Sequence, residues 1–152
     1  MVRRDEVGSV FPEDLSEGQV FNLGCYRIEE DEIIAFAKKY DPLPIHSDPV
    51  AAAVGPFEGV IASGINTIGI CQRLFVGAVR TSGGVGRSLN VRFLRPVYPG
   101  TTLTGRSTVL KVTLRPERHD AIVLFDTVLV NDAGEIVLGI QLDALLHLRP
   151  DP

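Results

Sequence analysis

Apolar and polar residues alternate in much of the second half of the chain, which is the pattern of β-strands with one buried face. The alternation begins at Ser88 and ends at Arg95-Pro96. The apolar runs 101–114 and 121–130 are separated by the polar loop 115–120, so they predict a β-hairpin with this loop at its tip.

The last predicted strand spans residues 136–148 and follows a tight turn at 131–134. Its alternate residues form an unbroken apolar stripe, which requires a large apolar surface to pack against. The stripe consists of Ile136, Leu138, Ile140, Leu142, Ala144, Leu146 and Leu148.

The first half of the chain has mainly helical periodicity. A strand-like segment, 19–28, follows an irregular lead-in at 1–17. Residues 29–40 predict a helix, because an apolar stripe repeats along it, acidic residues begin it and lysines end it. That stripe consists of Ile33, Ile34, Phe36, Ala37 and Tyr40. A longer helix begins near Ser63 and runs to about Val79, and apolar residues nearly all round it predict burial.

This order of elements predicts an α+β fold with an antiparallel sheet. The sheet would bury its apolar face against the helix that begins near Ser63. No repeat, low-complexity segment or long linker divides the chain. We therefore expect a single domain over residues 1–152.

Composition and charge narrow the class of function. The net charge of −4 and the pI near 5.3 argue against a nucleic-acid partner. Cys25 and Cys71 lack the spacing of a metal site and are expected to be free thiols. The N-terminus has no signal-like apolar run and the longest apolar segment contains polar residues, so we expect a cytoplasmic protein without a membrane span.

Two titratable residues lie in a segment stiffened by prolines. Pro42 and Pro44 restrict the backbone of the residues before them, so a rigid turn holds Asp41 and His46 at a fixed separation. Such a pair can perform general acid–base chemistry. The alternative is a surface loop in which Asp41 caps a helix and His46 is solvated. Asp48 has a structural role in either case, because Asp48-Pro49 is a typical helix start.

Three segments together resemble one enzyme family. D-P-L-P-I-H-S-D at 41–48 resembles the D-x-N-P-[LI]-H signature of the MaoC-like, (R)-specific enoyl-CoA hydratases and the D-P-x-P-x-H-x-D variant of MaoC-like dehydratases. G-V-I-A-S-G at 59–64 resembles the segment that opens the family's central helix. R-F-L-R-P-V-Y-P-G-T at 92–101 resembles its strand-and-turn motif, and the resemblance covers about residues 15–148. It implies a hot-dog fold, with the sheet wrapped around the central helix, and a homodimer or dimer of dimers.

The resemblance also implies roles for individual residues. Asp41 and His46 would hold a water between them, and the N–H of Gly64 would bind the carbonyl of a coenzyme A thioester. The role of Gly64 has an independent basis, since N–H groups at a helix start are unpaired and the dipole is positive there. The alternative for Ser63-Gly64 is an ordinary helix cap and a packing glycine. Coenzyme A would enter only as part of the substrate, with no other cofactor and no metal.

Four further residues are candidates for substrate binding. Ser63 is adjacent to Gly64, the expected carbonyl site. Asn66 is a polar residue on a helix that is predicted to be buried, so its side chain needs a hydrogen-bond partner, either in the acyl pocket or in a capping bond. Arg92 and Arg95 could bind coenzyme A phosphates, or could belong to a solvated strand face.

Three functions remain open from the sequence. The first is hydration of 2-enoyl-CoA or dehydration of 3-hydroxyacyl-CoA, which the Asp41/His46 pair favours because addition to a double bond needs one proton removed and one supplied. The second is a hot-dog thioesterase. The third is a non-catalytic subunit that binds acyl thioesters, which Leu43 favours because the hydratase signature has asparagine at that position.

Overall fold

Five antiparallel strands form one open sheet in the order β1-β3-β4-β5-β2. The computed structural model describes residues 8–81 and 83–152. The strands are β1 (Val20–Arg27), β2 (Gly84–Phe93), β3 (Thr102–Arg115), β4 (Asp120–Val130) and β5 (Ile136–His147). The predicted α+β class with an antiparallel sheet is confirmed.

Four helices precede β2 in the chain. They are α1 (Glu30–Tyr40), α2 (Pro44–Ser47), α3 (Pro49–Ala53) and α4 (Gly64–Ala78). The predicted lead-in contains a 3₁₀ turn at Pro12–Asp14, and its first seven residues lie outside the described part. None of the described helices is long and apolar enough to cross a membrane.

The sheet curves around α4, which gives the hot-dog architecture. α4 lies against β1 and β3. Phe75 of α4 and Phe125 of β4 meet edge to face, with ring centroids 5.0 Å apart. Phe125 is fully buried, and truncation to alanine is expected to cost about 3–5 kcal/mol of folding free energy. In the predicted stripe of β5, Leu138, Ile140, Ala144 and Leu146 are buried.

Two predictions of burial were wrong. α4 is not covered on all sides, because Ile65 and Val76 are more than half exposed. The sheet covers only one side of this helix, and the apolar residues on the other side face outwards. Tyr40, placed in the apolar stripe of α1, is also mostly exposed and packs on Phe36 with ring centroids 5.1 Å apart.

β2 begins at Gly84, four residues before the predicted alternation. A Cβ at Gly84 would collide with the carbonyl oxygen of Leu145 in β5, so only glycine permits this approach. The start of β2 was missed because its glycines interrupt the alternation of apolar and polar residues, although the backbone there pairs with β5.

The proline-rich segment folds more tightly than a simple turn. Asp41 and Leu43 are non-helical, as the following prolines require, but Pro44–Ser47 form the single-turn helix α2. Proline at the first helical position favours this start. Asp48 caps α3 as predicted, since its carboxylate accepts hydrogen bonds from the backbone N–H groups of Val50 and Ala51.

Candidate active site

Asp41 and His46 approach each other where α1 ends and α2 begins. Asp41 follows the last residue of α1, and its N–H donates to the carbonyl of Ala37 at 2.8 Å. Its Oδ2 lies 3.6 Å from Nε2 of His46. A single water can contact both atoms at about 2.8 Å, because the two contacts and this separation form a triangle. The pair is therefore spaced to hold one water.

The imidazole of His46 is held in one orientation. Its Nδ1 lies 2.7 Å from the carbonyl oxygen of Ile61, which can only accept a hydrogen bond, so Nδ1 carries a proton. Nε2 is then the ring atom that can gain or lose a proton, and it faces Asp41. His46 is only 7% exposed, so the solvated-loop alternative does not describe this histidine.

Ser63 connects the start of α4 to Asp41. Its Oγ donates a hydrogen bond of 2.6 Å to Oδ2 of Asp41. Ser63 occupies the cap position of α4, but its hydroxyl makes no capping bond there. Its side chain is fully buried, and the hydroxyl is engaged with the carboxylate. The structure thus links Ser63 to the acid rather than to the helix cap.

Gly64 is the first residue of α4, so its N–H has no acceptor within the helix. The Phe93 ring lies against it. A Cβ at position 64 would be 2.5 Å from Cε1 of Phe93, closer than any stable contact. Any larger residue at position 64 would displace this ring, and the close packing is compatible with a role of the N–H in binding.

A cavity of about 330 Å³ is lined by both His46 and Gly64. It lies between the start of α4 and the segment that follows β2. Its walls are mainly apolar, and His46, Thr67 and Arg95 are the lining residues with polar side chains. The lining residues are His46, Phe57, Ile61, Ala62, Gly64, Thr67, Phe93, Leu94, Arg95, Pro96, Val97 and Val137.

The two candidate arginines lie in different places. Arg95 lines the cavity and is ion-paired with Glu135 at 3.1 Å. Arg92 lines a separate cavity of about 220 Å³ with Asn90 and Asp126. Its guanidinium lies over Gly139 of β5, on the face of the sheet opposite that of Phe93. The structure therefore brings Arg95, but not Arg92, to the Asp41/His46 site.

Asn66 and Thr67 are both buried on α4. Thr67 lines the cavity and its hydroxyl donates to the carbonyl of Ser63 at 3.2 Å. Nδ2 of Asn66 has no hydrogen-bond partner among the described residues. Of the two polar side chains, Thr67 is therefore the one that faces the cavity.

Sequence reasoning missed three parts of the site: the carbonyl of Ile61, the side chain of Phe57 and the ring of Phe93. A backbone acceptor leaves no trace in residue type, so Ile61 had no detectable signal. Phe93 belongs to the strand-and-turn motif, but neither the motif nor the alternation of the strand assigned it a role in the site.

Among the described residues, no cluster of three or more histidine, cysteine or acidic side chains could hold a metal ion. The site combines a carboxylate, an imidazole and a helix N-terminus beside an apolar cavity. These groups can bind a polarised carbonyl and move protons beside it.

Comparison with known proteins identifies relatives with this architecture. The chain matches the family model of the MaoC like domain over residues 16–127. A MaoC-like dehydratase from Rhodospirillum rubrum superimposes with a TM-score of 0.88 and 34% identity, covering 94% of this chain and 100% of that one.

Two curated proteins are also similar. Uncharacterized protein YdeM of Bacillus subtilis is 33% identical over 74% of this chain and 80% of its own length. Enoyl-CoA hydratase ChsH3 of Mycobacterium tuberculosis is 36% identical over 59% of this chain, which corresponds to 34% of that longer protein. The family match covers most of the chain and includes Asp41, His46, Ser63 and Gly64. The chain therefore belongs to the MaoC-like dehydratase family and has its hot-dog fold.

Proposed function

We propose that the protein hydrates 2-enoyl thioesters of coenzyme A and, in reverse, dehydrates 3-hydroxyacyl thioesters. The observation that carries this proposal is the 3.6 Å approach of Asp41 Oδ2 and His46 Nε2 beside the Gly64 cavity. Two proton-transferring groups next to an unpaired N–H match the needs of addition to a conjugated double bond.

In the proposed reaction the pair shares one proton. The Asp41 carboxylate removes a proton from the bound water, and the resulting hydroxide forms a bond to the β-carbon. The π electrons form a bond between the α-carbon and a proton from Nε2 of His46, giving the 3-hydroxyacyl thioester. Transfer of the new proton from Asp41 back to His46 restores the starting state. Nδ1 keeps its own proton throughout, since Ile61 accepts a hydrogen bond from it.

The N–H of Gly64 would bind the thioester carbonyl oxygen. Addition of hydroxide to the β-carbon places negative charge on this oxygen as an enolate forms. The N-terminus of the 15-residue helix α4 favours negative charge at this point. Removing a comparable donor in other enzymes slows turnover by about 10²–10³-fold. Arg95 lies on the cavity wall and could contact the coenzyme A phosphates if its bond to Glu135 opens.

The second candidate is hydrolysis of the thioester, in which Asp41 would direct water to the carbonyl carbon. His46 favours hydration over hydrolysis, because its Nε2 supplies a second proton-transferring atom 3.6 Å from the carboxylate. The third candidate, a non-catalytic binding subunit, rests on Leu43. Its exposed side chain cannot provide the hydrogen bonds of the asparagine in the hydratase signature.

We further propose that two copies associate through the apolar face that β2 and α4 leave open. Five apolar side chains on this face are about half exposed or more, and β2 is an edge strand without proline or lysine to block pairing. These residues are Ile65, Val76, Leu89, Phe93 and Leu94. A dimer joined here would also close the open side of the cavity, which Phe93 and Leu94 line.

One assay separates the three functions. Purified protein is mixed with crotonyl-CoA while enoyl absorbance and free thiol are followed in parallel. Loss of absorbance without free thiol supports the hydratase. Release of thiol indicates the thioesterase, and binding without either change indicates the non-catalytic subunit.

A further inference from the structure

Phe93 makes an unusual contact at the start of α4. It is the last residue of β2, and its ring lies so close to Gly64 that a Cβ there would be 2.5 Å from Cε1 and 2.7 Å from Cζ. Yet 60% of Phe93 is exposed. A ring that remains largely in water contributes little to folding, because apolar stabilisation scales with the area removed from solvent. The contact therefore has little value as core packing.

The position of the ring relative to the cavity suggests a different role. Phe93, Gly64 and His46 line the same 330 Å³ space. The ring covers one side of the first peptide of α4, whose N–H is free to bind a ligand. An apolar ring at this point keeps water from the N–H without competing for it, since a phenyl group neither donates nor accepts a conventional hydrogen bond.

We propose that Phe93 is a positioning residue, an inference that rests on the proposed function above. Its ring holds the thioester carbonyl over the N–H of Gly64 and excludes water from that hydrogen bond. A hydrogen bond to developing charge is stronger where water is absent, so the benefit appears mainly as the enolate forms. Phe93 thus acts on turnover more than on ground-state binding.

A matched control exists on the same strand. Leu89 lies four residues before Phe93, so both side chains point to the same face of β2. Both are more than half exposed and belong to the open apolar face. Leu89 pairs with Leu142 of β5, farther along the strand than the Phe93–Leu138 pair, and is not part of the lining of the 330 Å³ cavity. Truncation at Leu89 therefore removes an apolar side chain from the same face without altering the lining of this cavity.

The test compares Phe93→Ala, Phe93→Tyr and Leu89→Ala with the wild type. The turnover number for crotonyl-CoA is measured beside the dissociation constant for butyryl-CoA, a saturated thioester that has no double bond to hydrate. We expect Phe93→Ala to lower kcat about 10- to 100-fold, somewhat less than the loss of an oxyanion donor itself. Its Kd for butyryl-CoA should change less than about threefold, because the ground state gains little from the shielded bond. Phe93→Tyr should restore most of kcat, and Leu89→Ala should retain it.

Sedimentation of each variant identifies any loss of assembly. The inference is overturned if Phe93→Ala keeps native kcat, or if its Kd rises as much as kcat falls. An equal fall in kcat for Leu89→Ala would also overturn it, by assigning the effect to the apolar face. A wild type that binds butyryl-CoA but does not hydrate enoyl thioesters would reject the proposed function, and this role with it. Normal wild-type hydration with an unaffected Phe93→Ala variant rejects this role alone.

Discussion

Ser63 and Asp41 are 22 residues apart in the sequence, yet Oγ of Ser63 donates a 2.6 Å hydrogen bond to Oδ2 of Asp41. The same carboxylate oxygen faces Nε2 of His46. The hydroxyl therefore holds the carboxylate oxygen that faces the imidazole. This bond also joins the end of α1 to the start of α4. Because Ser63 directly precedes Gly64, the bond holds the Asp41 carboxylate close to the free N–H of Gly64.

Removing this hydroxyl should slow turnover while leaving the fold intact. Hydrogen bonds to charged groups contribute about 1.5–3 kcal/mol, so Ser63→Ala is expected to lower kcat for crotonyl-CoA about 10- to 100-fold. Ser47→Ala is the matched control. Its hydroxyl bonds to the carbonyl of Leu43 at 2.9 Å and makes no contact with the acid. Equal rates for the two variants would show that the Ser63 bond does not orient Asp41 for catalysis.

The catalytic role of the Gly64 N–H can be tested by two substitutions that both introduce a Cβ at this position. Both Gly64→Ala and Gly64→Pro place a Cβ where the Phe93 ring lies, but only proline removes the N–H. Proline is tolerated at the first position of a helix, so α4 should form in both variants. We expect Gly64→Pro to turn over crotonyl-CoA about 10²–10³-fold more slowly than Gly64→Ala. If both variants lose activity equally, with matching circular dichroism spectra, the N–H has no catalytic role.

Much of the fold could be predicted because its determinants are local. The alternation from Ser88 onwards and the capping pair Asp48-Pro49 each act within a few residues, and both predictions agree with the structure. The one-turn helix α2 was missed, because four residues have no measurable periodicity. The exposed side of α4 was missed because apolar residues predict burial, but they do not show whether the surface that buries them belongs to the same chain or to a second copy.

The site was predictable only in part, because some of its contacts are local in the sequence and others are not. Asp41 and His46 are close in sequence, so the stiff backbone allowed their pairing to be predicted, and the family resemblance favoured the pairing over a solvated loop. The bonds of Ser63 to Asp41 and of Ile61 to His46 span 22 and 15 residues and depend on how α4 meets α1 and α2. No pattern within one segment encodes such contacts. The separation of Arg92 from Arg95 arises because Arg92 lies within β2, whereas Arg95 lies in the segment that follows it.

The proposed dimer face can be tested with a charge placed on α4. Val76 is more than half exposed on the open apolar face, and Val50 on α3 is more exposed still but lies outside the residues of that face. Burying an unpaired carboxylate is costly, so Val76→Glu should give a monomer at micromolar concentration. Val50→Glu should sediment as the wild type. A wild-type protein that is already monomeric by analytical ultracentrifugation would contradict the dimer.

The two thiols should differ sharply in reactivity. Cys71 is buried in α4, and burial raises its pKa to about 12, so the thiolate that reacts with alkylating agents is scarce at ordinary pH. Cys25 is exposed on β1. At pH 8 iodoacetamide should modify one cysteine in the folded protein and two after denaturation, as counted by intact mass. Rapid modification of Cys71 in the folded protein would contradict its burial.

Asp41 and His46 carry the central claim, that both groups act on one water. Asp41→Asn keeps the shape of the side chain and removes the base, and His46→Gln keeps a polar group and removes the titrating ring. Loss of a general acid or base typically costs about 10²–10⁴-fold in rate, and we expect each single variant to fall within that range. The double variant should lose far less than the product of the two losses, because the residues work as a unit. Asp48→Asn, which alters a helix-capping carboxylate instead, should keep near-native kcat.

The deciding measurement is therefore kcat for crotonyl-CoA hydration by the wild type, the two single variants and the double variant, with melting temperatures recorded for each. The account predicts folded proteins with large and strongly non-additive losses. Near-native rates in both single variants would contradict the hydratase mechanism, and unfolding of both would assign the pair to structure instead.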